Sequence, residues 1–293
     1  MTTRVHVGGT VRSPEDATIS VFDHGFLFAH SIYEVARTYR RVPFRIDAHF
    51  DRLEGSASAL EIPLPPREEM VRAIRDTLGA AGNDDAYIRI VVTRGTGELN
   101  ISPETCESPN LIVFVKDWSG FPLELYQKGI SVIVAKTART GVADIDPAVK
   151  SGNYANSIAA LLDARRRGAR DALMLGSGGQ VSEGTTSNVF AVFGRTVKTP
   201  PRAAGILSGI TRSIVLDVAR QRDFEALEQP ITLDELLQAD EVFFSSTLKE
   251  VMPVTRIDEK AIGSGTPGPV TEELAGAFRD HVADRIREQE PWW

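Results

Sequence analysis

Apolar positions along this 293-residue chain recur with two periods, and the switches between them mark out the elements. Val5-His-Val-Gly-Gly-Thr-Val reads as a hairpin turning at Gly8-Gly9. Ser31–Tyr39 alternates as a strand does, with Tyr33, Val35 and Arg37 on one face. After Asp47 the period lengthens. Phe50, Leu53, Ala57 and Leu60 form a helical stripe that Asp47 can cap. A second helix carries Met70, Ile74 and Leu78 and is closed by Gly79, and strands follow at 87–93 and 111–115.

The run Trp118-Ser-Gly-Phe-Pro-Leu interrupts both periods and reads as a link between domains. The expected division is a domain over 1–119, a linker over 120–126 and a second domain over 127–293. In the second part, 130–135 is a strand and 138–149 a long loop. Residues 156–167 form a helix with Ile158, Leu161 and Leu162 inward, ended by Gly168. Strands are expected at 172–175, Asn188–Phe193 and 241–244, and helices from Gly209 and from Thr232, the latter with a Thr232-x-x-Glu235 capping box. A last amphipathic helix, from about residue 271, places Leu274, Phe278 and Val282 on one side. Strands and helices mix without a strict βαβ rhythm, which points to an α+β fold and away from a doubly wound sheet. No GxGxxG or GxxxxGK[ST] string occurs.

Length favours two domains over one. The formal net charge of -7 argues against nucleic acid and anionic membrane as partners. A single cysteine, Cys106, excludes an intramolecular disulfide framework, and no apolar run reaches signal-peptide or membrane-spanning length. A cytoplasmic location is expected. The five histidines form no metal-binding set, and no GxSxG elbow is present.

Lysine is scarce: 7 residues against 26 arginines. Lys150 stands out because Ser151-Gly152-Asn153 beside it leave room for a ring, and an amine can hold an aldehyde as a Schiff base. Glu183 opens the run Glu183-Gly-Thr-Thr-Ser-Asn188, and a carboxylate can keep a pyridine nitrogen protonated. Gly205-Ile-Leu-Ser-Gly-Ile-Thr211-Arg212 leads a glycine loop into a helix, which is either a phosphate cup or a helix capped by Ser208. Arg52 flanks the Phe50–Leu53 stripe. Its guanidinium suits a phosphate, although most arginines at such positions are surface residues.

Six strings in order resemble the fold-type IV pyridoxal 5'-phosphate (PLP) enzymes, the branched-chain and D-amino-acid aminotransferase superfamily. They are Val21-Phe-Asp-His-Gly-Phe, His49-Phe-Asp-Arg52-Leu53, Lys150-Ser-Gly-Asn-Tyr154-Ala-Asn, Glu183-Gly-Thr-Thr-Ser-Asn188, Gly209-Ile-Thr211-Arg212 and Ser245-Ser-Thr247-Leu248-Lys-Glu250-Val-Met-Pro-Val. The resemblance implies a smaller N-terminal α/β domain and a larger C-terminal domain with a mixed, barrel-like sheet and helices. It makes Lys150 the catalytic lysine, pairs Glu183 with the ring nitrogen and sets Tyr154 against the ring hydroxyl. Arg52, the backbone N–H groups of Ile210 and Thr211, and Thr247 would hold the phosphate, and Ser187, Asn188, Gly209 and Ser246 would also bind the cofactor. Tyr33, Val35, Arg37, Tyr87, Arg89, Thr247 and Leu248 would meet the substrate.

The activity so implied is transfer of an amino group between a hydrophobic or branched-chain α-amino acid and a 2-oxo acid of the 2-oxoglutarate type. A homodimer or higher homo-oligomer is implied too. Tyr87-Ile-Arg89 and Arg37 resemble the branched-chain type, whereas Tyr33-Glu34-Val35 resembles the D-amino-acid type. A D-amino-acid or (R)-amine transaminase is therefore the second reading, and a PLP-dependent lyase a more distant one. On the residues alone, Arg89 is either a carboxylate ligand or a strand residue that orients Tyr87.

Overall fold

Gly8 and Gly9, at φ of 58° and 76°, turn the chain between strand β1 (Arg4–Val7) and strand β2 (Thr10–Arg12). These left-handed values suit glycine and make the hairpin tight. In the computed structural model, residues 2–136, 149–176 and 178–293 are described, and they divide into two units. The first holds residues 1–119, 149–153 and 285–293; the second holds the rest.

In the first unit, helix α1 (His24–Phe28) precedes strand β3 (Ser31–Tyr39) and the short β4 (Val42–Pro43). Helices α2 (Ile46–Ala59) and α3 (Arg67–Ala81) lead into β5 (Ala86–Thr93) and β6 (Asn110–Asp117). The six strands form one antiparallel sheet in the order β2-β1-β6-β5-β3-β4. Side chains alternate across a strand. Ile32, Ala36, Ile88, Ile90, Val92 and Val113 therefore share one face, where they pack with Phe50, Leu53, Met70, Ile74 and Leu78 of the two helices. Two helix boundaries differ from expectation. Arg45, not Asp47, is the N-cap of α2 and no side chain caps it, so Asp47 only adds negative charge to the first turn. Gly79 lies inside α3, and Gly82 ends it by taking φ 70° and donating its N–H to the Leu78 carbonyl.

In the second unit, α4 (Leu123–Lys128) begins within the expected link, and its Leu125 packs with Phe121 on the core of this unit. There follow β7 (Ile130–Val134), α5 (Ala155–Arg166), β8 (Asp171–Leu175), β9 (Val181–Gly184), β10 (Asn188–Phe193) and β11 (Thr196–Thr199). The remainder is α6 (Ile210–Gln221), β12 (Glu225–Glu228), α7 (Leu233–Leu236), β13 (Glu241–Ser246), β14 (Glu250–Ile257), β15 (Lys260–Ala261) and α8 (Pro269–Arg287). The sheet is mixed, with β7 parallel to both β8 and β14. The pair Asn188↔Glu183 joins β10 to β9 and closes six strands, β10-β13-β14-β7-β8-β9, into a barrel. Thr232 forms the expected capping box with Glu235, and Leu274, Phe278 and Val282 are buried on α8. The expected loop at 138–149 lies almost wholly outside the described residues.

The inward face of α5 is not the expected one. Ile158 and Leu162 are exposed, while Ala160 and Ala164 pack on Ile133, Ala172 and Met174. Small side chains let the helix approach its sheet closely, so here bulk points outward. Among the described residues no helix is long and apolar enough to cross a membrane, and no group of histidine, cysteine or acidic side chains could hold a metal ion.

Candidate active site

The two units divide the candidate residues between them: Tyr33, Val35, Arg37, Arg52, Tyr87, Arg89 and Lys150 in the first; Tyr154, Glu183, Ser187, Asn188, Gly209, Ile210, Thr211, Ser246, Thr247 and Leu248 in the second.

In the first unit, antiparallel register gathers the substrate candidates. Val35 lies opposite Arg89 and Arg37 opposite Tyr87, so Tyr33, Val35, Arg37, Tyr87 and Arg89 share the face of the sheet away from α2 and α3. The Arg89 guanidinium stacks 4.1 Å above the Tyr33 ring, and the Lys150 Nζ lies 4.5 Å from the same ring centre. The ring that Arg89 stacks on is thus Tyr33, while Lys116 sits over Tyr87 at 5.2 Å. Arg37 stacks on Tyr39 at 3.9 Å and faces Asp85 at 3.8 Å.

The peptide of Lys150 is held from both sides. Its carbonyl accepts the Tyr33 N–H at 3.0 Å, and its N–H donates to Ser56 Oγ at 3.1 Å. Ser151 bridges to Ile32, and the Gly152 N–H donates to the Ser31 carbonyl, so this segment runs as a short extra strand beside β3. A Cβ on Gly152 would lie 2.3 Å from Ser31 Oγ, so a larger residue there would displace that hydroxyl. The Lys249 ammonium donates to Asp171 at 2.7 Å, Thr186 at 3.1 Å and Ser187 at 3.2 Å, and so braces β8 and the 185–187 turn.

Arg52 reaches the core edge through Glu34. Its Nε and Nη2 donate to the two Glu34 carboxylate oxygens at 2.6 and 2.7 Å, and His49 Nδ1 meets Glu34 at 2.7 Å. Burial would raise the Glu34 pKa, but the Arg52 pair and the His49 bond overcome it and hold the group at about 2. Burial lowers the His49 pKa against the pull of Glu34, and because an ionised carboxylate only accepts, His49 Nδ1 is the donor to Glu34. Glu34, His49 and Ser56 were not among the expected site residues. A signal existed for the first: an acid at the parity of Ile32 and Ala36, on the face of β3 that builds the core.

In the second unit, the barrel closure at Glu183 and Asn188 orients the loop before α6. Glu183 accepts the Leu207 N–H at 3.0 Å, and Asn188 Nδ2 donates to the Leu207 carbonyl at 2.9 Å, so one residue's N–H and carbonyl are both held. A Cβ on Gly209 would lie 2.0 Å from Asn188 Oδ1. Gly209 is the N-cap of α6 and no side chain caps that helix, so Ser208 is not its cap. The first N–H groups of α6, those of Ile210 and Thr211, stand at the positive end of the dipole. Arg212 instead turns inward to the Pro200 carbonyl and Glu228. Tyr154 is pushed up to about 12 by burial and then by the Glu183 charge, which keeps its phenol a hydrogen-bond donor. Thr247 and Leu248 lie in the three-residue turn between β13 and β14, whose register pairs Ser246 with Glu250. Ser246 Oγ accepts the Lys249 N–H at 3.2 Å across that turn.

Residues 31–257 match the family described as amino-transferase class IV. The chain belongs to the class IV aminotransferases. It is an enzyme of the transaminase type, with the fold-type IV architecture. The branched-chain-amino-acid aminotransferase of Pseudomonas aeruginosa is 34% identical over 284 residues, which cover 94% of this chain and 92% of that one. The crystal structure of the Escherichia coli branched-chain amino acid aminotransferase matches with a TM-score of 0.93 at 30% identity, covering 100% of this chain and 98% of that one. The branched-chain amino acid aminotransferase from Thermobaculum terrenum, solved in its PLP form, matches with a TM-score of 0.85 at 26% identity, covering 96% and 94% of the two chains.

Proposed function

We propose that this class IV aminotransferase binds PLP and exchanges the amino group between a branched-chain or otherwise hydrophobic α-amino acid and a 2-oxo acid of the 2-oxoglutarate type. The observation that carries this reading is the Tyr33 ring, which both the Lys150 amine and the Arg89 guanidinium contact on a sheet face that also bears Arg37 and Tyr87. An amine beside cations and hydroxyls suits a substrate that brings a carboxylate next to its reacting carbon.

The donor set fits PLP in kind. The uncapped start of α6, with a glycine where a Cβ would collide, suits a phosphate. Buried Glu183 suits a pyridinium, and protonated Tyr154 a ring oxygen. When bound, PLP supplies an aldehyde that takes up the amino group and a ring that delocalises the electrons of the substrate Cα.

Lys150 takes and returns the proton at that carbon. Glu183 holds a proton on the ring nitrogen, and Tyr154 donates to the ring hydroxyl. Arg52, the N–H groups of Ile210 and Thr211, and Thr247 bind the phosphate. Asn188, through Leu207, fixes the loop that carries those N–H groups; Gly209 lets that loop pass close to Asn188. Ser187 and Ser246 steady the neighbouring turns. Arg89, Tyr87 and Arg37 receive carboxylate, Tyr33 and Val35 shape the space beside Lys150, and Leu248 adds an apolar wall.

The protein works in the cytoplasm as a homodimer. Supporting that assembly, Phe22, Phe26 and Phe28 of the α1 region stand exposed, and Leu99 and Ile101 lie in the loop bonded to it through His24–Glu98 and Gly97–Phe22.

The test is a single-turnover comparison of the PLP-loaded enzyme with L-leucine and with D-alanine, followed spectroscopically. L-leucine is expected to convert the cofactor and 2-oxoglutarate to restore it. Conversion by D-alanine alone would overturn the branched-chain reading and favour the D-amino-acid one, for which Val35 beside Tyr33 is the structural argument.

A further inference from the structure

The face of β3 that builds the core carries one charged residue. Glu34 is fully buried among Ile32, Ala36, Phe50 and Leu53, in surroundings where an apolar side chain would pack without any desolvation cost. Its carboxylate meets three strong donors: Nε and Nη2 of Arg52, in the parallel two-bond geometry of a guanidinium–carboxylate pair, and Nδ1 of His49. His49 and Arg52 are three residues apart on α2, so both lie on the same side of the helix. One turn further on, Ser56 Oγ donates to the Arg52 carbonyl at 3.0 Å while it accepts the Lys150 N–H. A single helical stretch, pinned to the sheet by Glu34, thus supports both Arg52 and the peptide of Lys150.

We propose that Glu34 is a positioning residue for phosphate recognition: it fixes the plane and direction of the Arg52 guanidinium, with His49 holding the carboxylate in turn. This rests on the reading of Arg52 as a phosphate ligand given above. Two of the five guanidinium N–H groups go to Glu34, and the fork geometry then sets where the others point. A flexible arginine would have to be ordered on each binding event; one locked by Glu34 is ordered beforehand, and affinity for the phosphate rises accordingly.

The experiment compares PLP with pyridoxal, which has the same ring and aldehyde and no phosphate, as ligands of full-length protein stripped of cofactor. Wild type, Glu34→Gln and Arg52→Lys are each titrated with both. Glu34→Gln is expected to weaken PLP by about tenfold or more, the scale of a lost charge-assisted bond, while pyridoxal changes less than about twofold. A merely structural role would weaken both ligands equally, and that result, or no change in either, overturns the proposal. If Arg52→Lys lowers the PLP-to-pyridoxal ratio and Glu34→Gln does not, Glu34 alone loses its role. If Arg52→Lys leaves the ratio intact, the assignment of Arg52 itself fails and the proposal with it. Should Glu34→Gln fail to fold, Glu34→Asp keeps the charge and withdraws it by one methylene; an unchanged ratio in that variant counts against the proposal, and a several-fold fall supports it.

Discussion

On the covered face of β3, Ile32, Glu34 and Ala36 are each fully buried against α2 and α3, whereas on the other face Tyr33, Val35 and Arg37 stand with Tyr87 and Arg89 from the neighbouring strand. Consecutive residues of one strand therefore belong to two environments. The first is apolar and close-packed, and its one charge is fully engaged. The second is aromatic and cationic, and the Lys150 amine lies over its tyrosine. The strand period alone separates scaffold from chemistry here, and the exception on the scaffold side, Glu34, is bonded to the arginine assigned to phosphate.

The largest expected effect falls on the chemical side. Lys150→Ala should lower transamination by about 10²–10⁴-fold, the usual worth of a positioned general acid–base, in steady-state assays with L-leucine. Its unfolding midpoint should stay close to wild type. On the scaffold side the pattern inverts. Phe50→Ala removes a fully buried ring from the α2 core and should cost ~3–5 kcal/mol in denaturant unfolding, with kcat of the folded fraction little changed.

Glu34 bridges the two environments and makes a pH-dependent contribution. Its folded pKa of about 2 lies below the ordinary 4.5, so its stabilisation is complete above about pH 4.5 and is lost as the pH falls toward 2. The full shift corresponds to about 3 kcal/mol. The stability difference between wild type and Glu34→Gln should therefore shrink on acidification over that window, as read from urea unfolding at successive pH values. Arg89→Met removes a cation–π contact worth about 0.5–1 kcal/mol, so stability should barely move while KM for 2-oxoglutarate rises more than kcat falls. Smallest of all, Leu162→Ser on the exposed side of α5 should change stability by no more than about 0.5 kcal/mol. A loss of several kcal/mol would instead restore the apolar face that the hydrophobic spacing suggests.

That last case shows where pattern and structure part. Periodicity located β3, α3, α6 and α8 well, because each buries bulky residues at its own spacing. It misjudged α5, where alanines make the contact and leucine and isoleucine point outward, because hydrophobic spacing weighs bulk and closeness of approach does not enter it. Gly79 and Gly82 are both plausible helix stops three residues apart, and only backbone conformation distinguishes them. Among the proposed site residues, Lys150, Glu183, Tyr154 and Arg52 stand in local strings that resemble those of the family. The bonds from His49 to Glu34 and from Lys150 to Ser56 span 15 and 94 positions of sequence, and the only local hint of them is the core-facing parity of Glu34 on β3.

The claim on which the rest depends is that Lys150, and not the salt-bridged Lys249, is the lysine that holds the cofactor. Borohydride reduction of the PLP-loaded protein, followed by proteolysis and mass spectrometry, reads this directly. A single cofactor-sized mass increment is expected on the peptide containing Lys150, and none in Lys150→Ala. The increment appearing on the Lys249 peptide, or persisting in Lys150→Ala, would contradict that claim.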